Sequence, residues 1–382
     1  MPSEKSGKKA DEAYMRQALA LALKGWGNTS PNPMVGAVIV KAGKVIAKGF
    51  HRKAGLPHAE AVAIGNAGQK ARGATLYVTL EPCCHLNKRT PPCTGAVIRA
   101  GLKRVVAAMP DPNPLVAGCG ISELRKAGIE VKTGVLEEKA RALNEAYIKY
   151  ITTKRPFVIL KSAMSLDGKI ATKTGESKWL TGEKARGLVH RVRSGVDAIM
   201  TAVGTVKADN PELTARIKGG KTPIRIIIDP EMLSPEDSKV FLVPPETIIV
   251  SRKPLSKSLE GKGVGIINFE GRLSLAWLME KLGSMGITSL LIEGGSSLNA
   301  HAIEEGVVDK MMLFYAPLVI GGKDAFPSIG GRGVEKLIEA CRLENLSVRK
   351  IGEDVLIEGY TLPTGEKPSG RAIHSLRPGG PG

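Results

Sequence analysis

Aromatic residues are scarce: phenylalanine, tyrosine and tryptophan make up only 4% of the 382 residues. A surface that stacks the bases of single-stranded nucleic acid needs more of them. No run approaches the ~18 uncharged apolar residues of a membrane-spanning helix. The N-terminal stretch MPSEKSGKKA has lysines but no apolar segment, so no secretory signal is expected. Cysteines number five, at 83, 84, 93, 119 and 341. An odd count, with three crowded between 83 and 93, argues against a disulfide scaffold and for a reducing cytoplasm with a metal or thiol cluster. Residues 157–360 contain no Gly-x-Gly-x-x-Gly, so the Rossmann fingerprint is missing. Gly220-Lys221-Thr222 ends like a P-loop, but Ala215 stands where that loop requires glycine.

The charge is strongly one-sided, with 55 Lys and Arg against 37 Asp and Glu, a net +18. Residues 1–10 and 361–382 each contribute +2, and the rest is spread without a basic block. Diffuse positive charge suits a small phosphorylated substrate; neither a nucleic acid nor a membrane partner is expected. A homo-oligomer is expected.

Both ends, 1–10 and 362–382, are rich in Gly, Pro, Ser and Lys and read as disordered tails. Between them, helix and strand patterns alternate twice. Asp11–Lys24 carries Tyr14, Ala18, Leu21 and Ala22 at helical spacing. Val35–Val40 and Lys44–Gly49 are apolar runs split by Ala42-Gly43, the pattern of a hairpin. Strands are expected at Thr75–Leu80, Arg104–Met109 and Ile129–Thr133, and helices near 58–67, 93–100, 120–127 and 136–151. The pattern restarts after the polar Thr152-Thr153-Lys154-Arg155-Pro156. Strands follow at 157–163, 196–201, 224–229, 247–251, 289–292, 309–315 and 354–360, with helices at 182–194, 274–283 and 296–305. The reading is two α/β domains in tandem, 11–152 and 156–361, each long enough to bury a core.

Chemistry concentrates in the first half. His58-Ala59-Glu60 opens a helix, Glu81-Pro82-Cys83-Cys84 follows a strand, and Pro91-Pro92-Cys93 opens another helix. One histidine and two cysteines make a catalytic zinc set, three protein ligands with one position left for water. Thiolates gain from a helix N-terminus, whose dipole and free N–H groups favour negative charge. Glu60 stands two residues from its histidine, near the metal and not bound to it. This order of residues matches the signature of zinc nucleobase deaminases, in which the glutamate carries protons. A structural zinc site with His85 as fourth ligand is the alternative reading.

The surrounding residues are more specific. Thr29-Ser30-Pro31-Asn32-Pro33-Met34-Val35-Gly36-Ala37, Gly49-Phe50-His51, Ala54-Gly55-Leu56-Pro57-His58-Ala59-Glu60, Glu81-Pro82-Cys83-Cys84-His85 and Lys88-Arg89-Thr90-Pro91-Pro92-Cys93 resemble the riboflavin-biosynthesis deaminase-reductase family, RibD type. Lys161-Ser162-Ala163-Met164-Ser165-Leu166-Asp167-Gly168-Lys169, Gly175-Glu176-Ser177-Lys178-Trp179-Leu180-Thr181, Gly204-Thr205-Val206-Lys207-Ala208-Asp209-Asn210-Pro211 and Glu293-Gly294-Gly295 are similar to its reductase half. The resemblance runs from about residue 11 to 360. It implies a cytidine-deaminase-like α/β/α sandwich followed by a dihydrofolate-reductase-like α/β domain. It also implies two reactions: deamination of 2,5-diamino-6-(5-phosphoribosylamino)pyrimidin-4(3H)-one with Zn2+, then reduction of the ribosyl chain of 5-amino-6-(5-phosphoribosylamino)uracil with NADPH.

Carried over motif by motif, the resemblance makes His58, Cys83 and Cys93 zinc ligands, Glu60 the proton carrier, and Asn32 and His51 pyrimidine-pocket residues. The family's usual eight-residue gap between the cysteines counts back from Cys93 to Cys84. Counting forward from the strand selects Cys83, because Pro82 fixes its own φ and restricts Glu81; the polar His85–Thr90 segment can absorb the extra residue, and Cys83 is the expected ligand. In the second half, nucleotide-binding positions fall on Ala163, Trp179, Thr205, Asp209 and the run Gly295, Ser296, Ser297, Leu298, Asn299, Ala300, His301. Substrate positions fall on Ser177, Arg193, Leu213, Arg216 and Glu293. On physical grounds, Arg193 and Arg216 can meet a phosphate, Glu293 can accept from sugar hydroxyls, and the glycine turn before 296 can cradle a diphosphate.

Overall fold

A computed structural model describes residues 4–85 and 91–362. The chain divides into two compact units between Thr153 and Lys154. The tail expected at 362–382 lies outside the described residues from 363 onward, and so does most of the segment 85–90. No helix among the described residues is long and apolar enough to cross a membrane.

The first unit is a five-stranded sheet in the order β2-β1-β3-β4-β5. Its strands are β1 (Gly36–Lys41), β2 (Lys44–Phe50), β3 (Thr75–Val78), β4 (Arg104–Ala107) and β5 (Glu130–Lys132). The helices are α1 (Glu4–Ala22), α2 (Ala59–Ala67), α3 (Cys93–Arg99), α4 (Cys119–Lys126), α5 (Glu137–Leu143) and α6 (Glu145–Thr153). β1 and β2 form the expected hairpin, with Ala42 and Gly43 both at positive φ, as a two-residue primed turn requires. Two glycines let helices lie against the sheet. A Cβ at Gly36 would sit 2.0 Å from the Ala18 carbonyl of α1, and one at Gly49 would sit 2.4 Å from the Ala59 carbonyl of α2. Gly49 pairs with Ala37, the neighbour of Gly36, so the two glycines face opposite sides of the sheet. α1 and α2 therefore cover opposite faces, the expected α/β/α sandwich.

Two expected boundaries differ. Residues 4–10, expected in a tail, continue α1 upstream, with Gly7–Ala10 exposed. Lysine and alanine are good helix formers, and extending an existing helix avoids the cost of nucleation. The single helix expected over 136–151 is broken at Asn144, whose side chain is spent on another segment, as described below.

The second unit is a nine-stranded sheet in the order β11-β10-β9-β8-β12-β6-β13-β16-β15. In chain order its strands are β6 (Phe157–Ser165), β7 (Lys169–Ala171), β8 (Ala198–Ala202), β9 (Ile224–Ile228), β10 (Thr247–Ser251), β11 (Gly265–Asn268), β12 (Ser289–Ile292), β13 (Lys310–Ala316), β14 (Phe326–Pro327), β15 (Leu343–Ile351) and β16 (Asp354–Thr361); β7 and β14 pair separately. The helices are α7 (Glu183–Gly195), α8 (Val203–Asp209), α9 (Lys257–Gly261), α10 (Leu275–Ser284) and α11 (Ser296–Glu304). From β11 to β13 all neighbours are parallel; β16 and β15 are antiparallel. The continuous apolar runs of β9, β10 and β12 follow from burial on both faces. Alternate residues serve opposite cores: Ile226, Ile248 and Leu290 pack with α10 and α11, while Ile227, Ile249 and Leu291 pack on the other face with Val206 of α8 and Leu259 of α9. The sequence reading did not anticipate β11, β15, α8 or α9.

Candidate functional site

In the first unit three elements converge. His58 is the N-cap of α2, Cys83 follows β3, and Cys93 begins α3. The His58 Nδ1 lies 3.6 Å from the Cys83 Sγ and 3.3 Å from the Cys93 Sγ. Tetrahedral zinc with ordinary bond lengths separates a nitrogen from a sulfur ligand by about 3.6 Å. The donor set and its spacing therefore fit zinc, and among the described residues these three form the one such cluster. His85 stays outside it, its Nδ1 buried without a hydrogen-bond partner among the described residues. Cys84 also stays outside. Its thiol is pushed up to about 12, first by burial and then by the neighbouring Cys119.

The backbone explains which sulfur points inward. The N–H groups of Cys93 and Thr94 both donate to the Cys83 carbonyl, at 3.0 and 3.3 Å. Behind it, the buried Glu81 carboxylate accepts three backbone N–H groups at 3.0 Å, from Asp111, Gly118 and Ile121. α4 lies so close that a Cβ at Gly120 would sit 2.0 Å from the Pro82 carbonyl. Glu81 and Gly120 thus fix the strand exit from which Cys83 projects.

Glu60 lies in the first turn of α2 and is 3% exposed. Burial pushes its carboxyl above the usual range, and the negative charge of Cys83 adds to this. Together with His58 and Cys83 it lines a cavity of about 570 Å³, whose wall also includes Asn32, His51, Asp111 and Tyr147. The His51 Nδ1–H donates to the Pro57 carbonyl at 3.2 Å, which leaves Nε2 to accept from the Asn32 amide at 3.1 Å. Burial lowers the basicity of His51 and favours this neutral ring. The loop carrying Asn32 is clamped from α5–α6: Asn144 accepts from the Met34 N–H at 2.8 Å and donates to the Met34 carbonyl at 3.0 Å.

Sequence reasoning missed Glu81, Asp111, Asn144 and Tyr147. Asp111 is buried, accepts from the Tyr147 hydroxyl at 2.9 Å, and has its carboxyl raised by burial. Asp111-Pro112-Asn113-Pro114 repeats the turn-forming pattern of Pro31-Asn32-Pro33, and that was the available signal. Asn144 and Tyr147 sit in a helical stretch with no local mark.

In the second unit the residues around the open edge of β8 and β12 come together. Glu293 follows β12 and is paired with Arg193 through two parallel bonds, 2.7 and 3.0 Å, with Lys161 at 3.4 Å. Burial alone would raise the Glu293 carboxyl, but Arg193 and Lys161 outweigh it and hold it at about 2. Arg193 also donates to the Thr214 carbonyl at 3.1 Å. The sequence reading gave Arg193 to a phosphate and Glu293 to sugar hydroxyls as separate tasks; the structure pairs them, because a buried carboxylate needs a counter-charge. Arg216 is different. It is largely exposed, with the Glu212 carboxylate 3.8 Å from its guanidinium and its backbone N–H donating to the His190 Nδ1 at 3.3 Å.

Leu213 is buried at φ 55°, so only its backbone is presented. The carbonyls on either side of it are held, Glu212 by Arg225 at 3.3 Å and Thr214 by Arg193. Ser177 donates to the Asp209 carboxylate at 3.3 Å, and Lys178 to the Asp209 carbonyl at 3.0 Å. Trp179 is 68% exposed, with the Arg186 guanidinium 4.8 Å from its ring. Ala163 is half-buried on β6.

Gly295 is the N-cap of α11, with no side chain capping the helix, and a Cβ there would lie 3.6 Å from the Thr205 hydroxyl. β8 and β12 are parallel neighbours, so α8 and α11 both start at the same edge of the sheet. Open helix starts at the carboxyl ends of adjacent parallel strands fit a dinucleotide's diphosphate. Within the run 295–301 the side chains divide. Gly295, Ser296 and Ser297 are accessible, whereas Leu298, Asn299 and Ala300 are buried and His301 bonds Glu305 at 2.6 Å.

The deaminase zinc-binding region of cytidine and deoxycytidylate deaminases matches residues 8–109, and the RibD C-terminal domain matches 156–357. The riboflavin biosynthesis protein RibD of Actinobacillus pleuropneumoniae is 46% identical over 366 residues, 94% of this chain and 97% of that protein. RibD of Aquifex aeolicus is 46% identical over 351 residues, 91% of this chain and 97% of that protein. Among solved structures, Acinetobacter baumannii RibD superposes with a TM-score of 0.86 at 39% identity, covering 93% of this chain and all of that one. A Thermotoga maritima diaminohydroxyphosphoribosylaminopyrimidine deaminase/5-amino-6-(5-phosphoribosylamino)uracil reductase gives 0.84 at 38% identity, with 93% and 100% covered.

Proposed function

Because the chain belongs to the RibD family of bifunctional deaminase-reductases in riboflavin biosynthesis, we propose that it works on that family's phosphoribosylated pyrimidines at two centres. The first unit releases ammonia from 2,5-diamino-6-(5-phosphoribosylamino)pyrimidin-4(3H)-one. The second reduces the ribosyl chain of 5-amino-6-(5-phosphoribosylamino)uracil with NADPH. The observation that carries the reading is the His58–Cys83–Cys93 cluster, of which His58 and Cys83 line one cavity together with buried Glu60. Cysteines as metal ligands suit a reducing, cytoplasmic setting.

His58, Cys83 and Cys93 would hold zinc, which would supply Lewis-acid activation of water. Glu60 is the proton carrier: its carboxylate takes one proton from water and passes it to the ring nitrogen as the oxygen adds to the amine-bearing carbon, then carries the second proton from that new hydroxyl to the amine, which leaves as ammonia when the C–N bond breaks. Asn32 spends one amide hydrogen on His51; its carbonyl oxygen and second hydrogen remain for the pyrimidine edge. Neutral His51 orients that amide.

In the reductase unit the chain's task is positioning. The N–H groups opening α11, with Thr205, hold the nucleotide's phosphates. Trp179 supplies an exposed ring face for the nicotinamide, and Ser177 is kept in place by Asp209. Arg216 meets the substrate phosphate. Arg193 positions Glu293 and the 212–214 backbone and does not bind phosphate itself.

The test is incubation with the diaminopyrimidine ribotide, with and without NADPH. Ammonia release without NADPH, followed by NADPH consumption and a reduced product by mass, is expected. Glu60→Gln should keep zinc and abolish ammonia release while reducing the deaminated compound normally. Wild-type ammonia release by that variant would refute the assignment.

A further inference from the structure

Arg216, proposed for the substrate's phosphate, has a side chain that is 59% exposed. A long exposed side chain that grips an anion loses rotamer freedom, so the backbone it starts from decides how well it is aimed. The backbone around it is held from several sides. Arg225 donates to the Glu212 carbonyl, Arg193 to the Thr214 carbonyl, and the Ala215 N–H donates to the Thr222 hydroxyl at 3.3 Å. The hold on Arg216 itself comes from His190 of α7.

His190 and Arg193 stand three residues apart on α7 and so share one face of it. The His190 Nδ1 lies 3.3 Å from the Arg216 backbone nitrogen and 3.2 Å from the Thr214 carbonyl. One ring nitrogen cannot serve both, because the N–H needs a lone pair and the carbonyl needs a hydrogen. The carbonyl already receives Arg193, whereas the Arg216 N–H has no other partner among the described residues. The Nδ1 lone pair therefore goes to Arg216, and the hydrogen of the neutral ring sits on Nε2. The surroundings keep the ring neutral: burial, then the positive charges of Arg193 and Arg216, lower its basicity. Glu293 acts in the opposite sense, but its charge is committed to Arg193 and Lys161.

We infer that His190 is a positioning residue for the reductase substrate: its Nδ1 holds the Arg216 backbone N–H and so aims the guanidinium at the phosphate. The inference rests on Arg216 being the phosphate ligand. Packing alone does not require a histidine here. An apolar side chain fills space on α7 just as well, as the neighbouring Val189 does, but it offers the N–H no acceptor. A cation offers none either, and it would face Arg193 and Arg216. The position asks for an uncharged side chain with an acceptor two bonds from Cβ. Histidine meets that demand through Nδ1, and asparagine would meet it through Oδ1.

The test is steady-state reduction, by the full chain with NADPH, of 5-amino-6-(5-phosphoribosylamino)uracil and of its phosphate-free nucleoside. His190→Phe keeps a ring and removes the acceptor; His190→Asn keeps the acceptor and removes the ring. His190→Phe should raise the KM for the phosphorylated substrate about fivefold, the size expected for loss of one neutral hydrogen bond. Its kcat and its KM for NADPH should stay at wild-type values, which also reports a folded site. His190→Asn should restore the wild-type KM, and neither variant should change the KM for the nucleoside. A wild-type KM in His190→Phe, where Arg216→Ala raises it, would overturn the inference and leave the phosphate site standing. Equal impairment of the Phe and Asn variants, or an equal loss on the nucleoside, would overturn it as well. If Arg216→Ala leaves that KM unchanged, the phosphate reading falls and this inference with it.

Discussion

Replacing Glu293 by glutamine removes one charge from a buried triad and leaves two cations behind. Its carboxylate is 9% exposed and Arg193 13%, joined by a two-bond fork, with Lys161 at 3.4 Å. Glutamine keeps the shape and one acceptor but no counter-charge. Breaking a buried pair from one side costs roughly 3–5 kcal/mol. The proton equilibrium gives a similar figure, since a carboxyl held at about 2 instead of 4.5 corresponds to about 3 kcal/mol. The sign follows from the depressed value. Below pH 4.5 the unfolded chain takes up a proton that the folded chain refuses, so this stabilisation is complete above that pH and is lost as pH falls toward 2. The assay is hydrogen exchange of the full chain by mass spectrometry, read on peptides from β6, α7 and β12. At neutral pH the variant should open at a free energy lower by about 3 kcal/mol, and its stability should fall less steeply with acid than wild type. Equal protection at neutral pH, or equal acid sensitivity, would refute the reasoning.

Zinc analysis separates the adjacent cysteines: Cys83→Ser should lose metal and ammonia release, whereas Cys84→Ser should retain stoichiometric zinc. Gly120→Ala forces a Cβ onto the Pro82 carbonyl; a destabilisation of about 1–3 kcal/mol by urea titration and weaker zinc retention are expected. Arg216→Ala should raise the KM for the phosphorylated substrate without raising that for NADPH, which steady-state reductase kinetics would show.

The sequence announced the site in proportion to how local each part is. His58, Glu60, Cys83 and Cys93 stand at helix starts and a strand exit, where residue type and neighbouring prolines declare themselves. Asn144 does not, because its partner Met34 is 110 residues away and the helical pattern runs straight through it. β9, β10 and β12 were legible because burial on both faces makes continuous apolar runs. β15 was not: none of its residues is buried, and Glu344, Arg349 and Lys350 interrupt the alternation. A strand defined by pairing rather than by burial leaves little hydrophobic pattern to read.

The same distinction governs Arg193. Alone, an arginine near a phosphorylated substrate suggests a phosphate ligand. The fold sets it beside a carboxylate that burial would otherwise neutralise, so the guanidinium is committed before any substrate arrives. Arg225 follows the same logic without a bonded carboxylate: it is 1% exposed, burial lowers it to about 10 against the opposing charge of Glu212, and it is held by the Thr247 hydroxyl and by backbone carbonyls that include Glu212. Two buried arginines therefore fix the backbone around Leu213, and the exposed Arg216, three residues further on, is the one we propose for the substrate's phosphate. Residue type alone would suit all three to anion binding; burial commits Arg193 and Arg225 to partners within the fold and leaves Arg216 exposed.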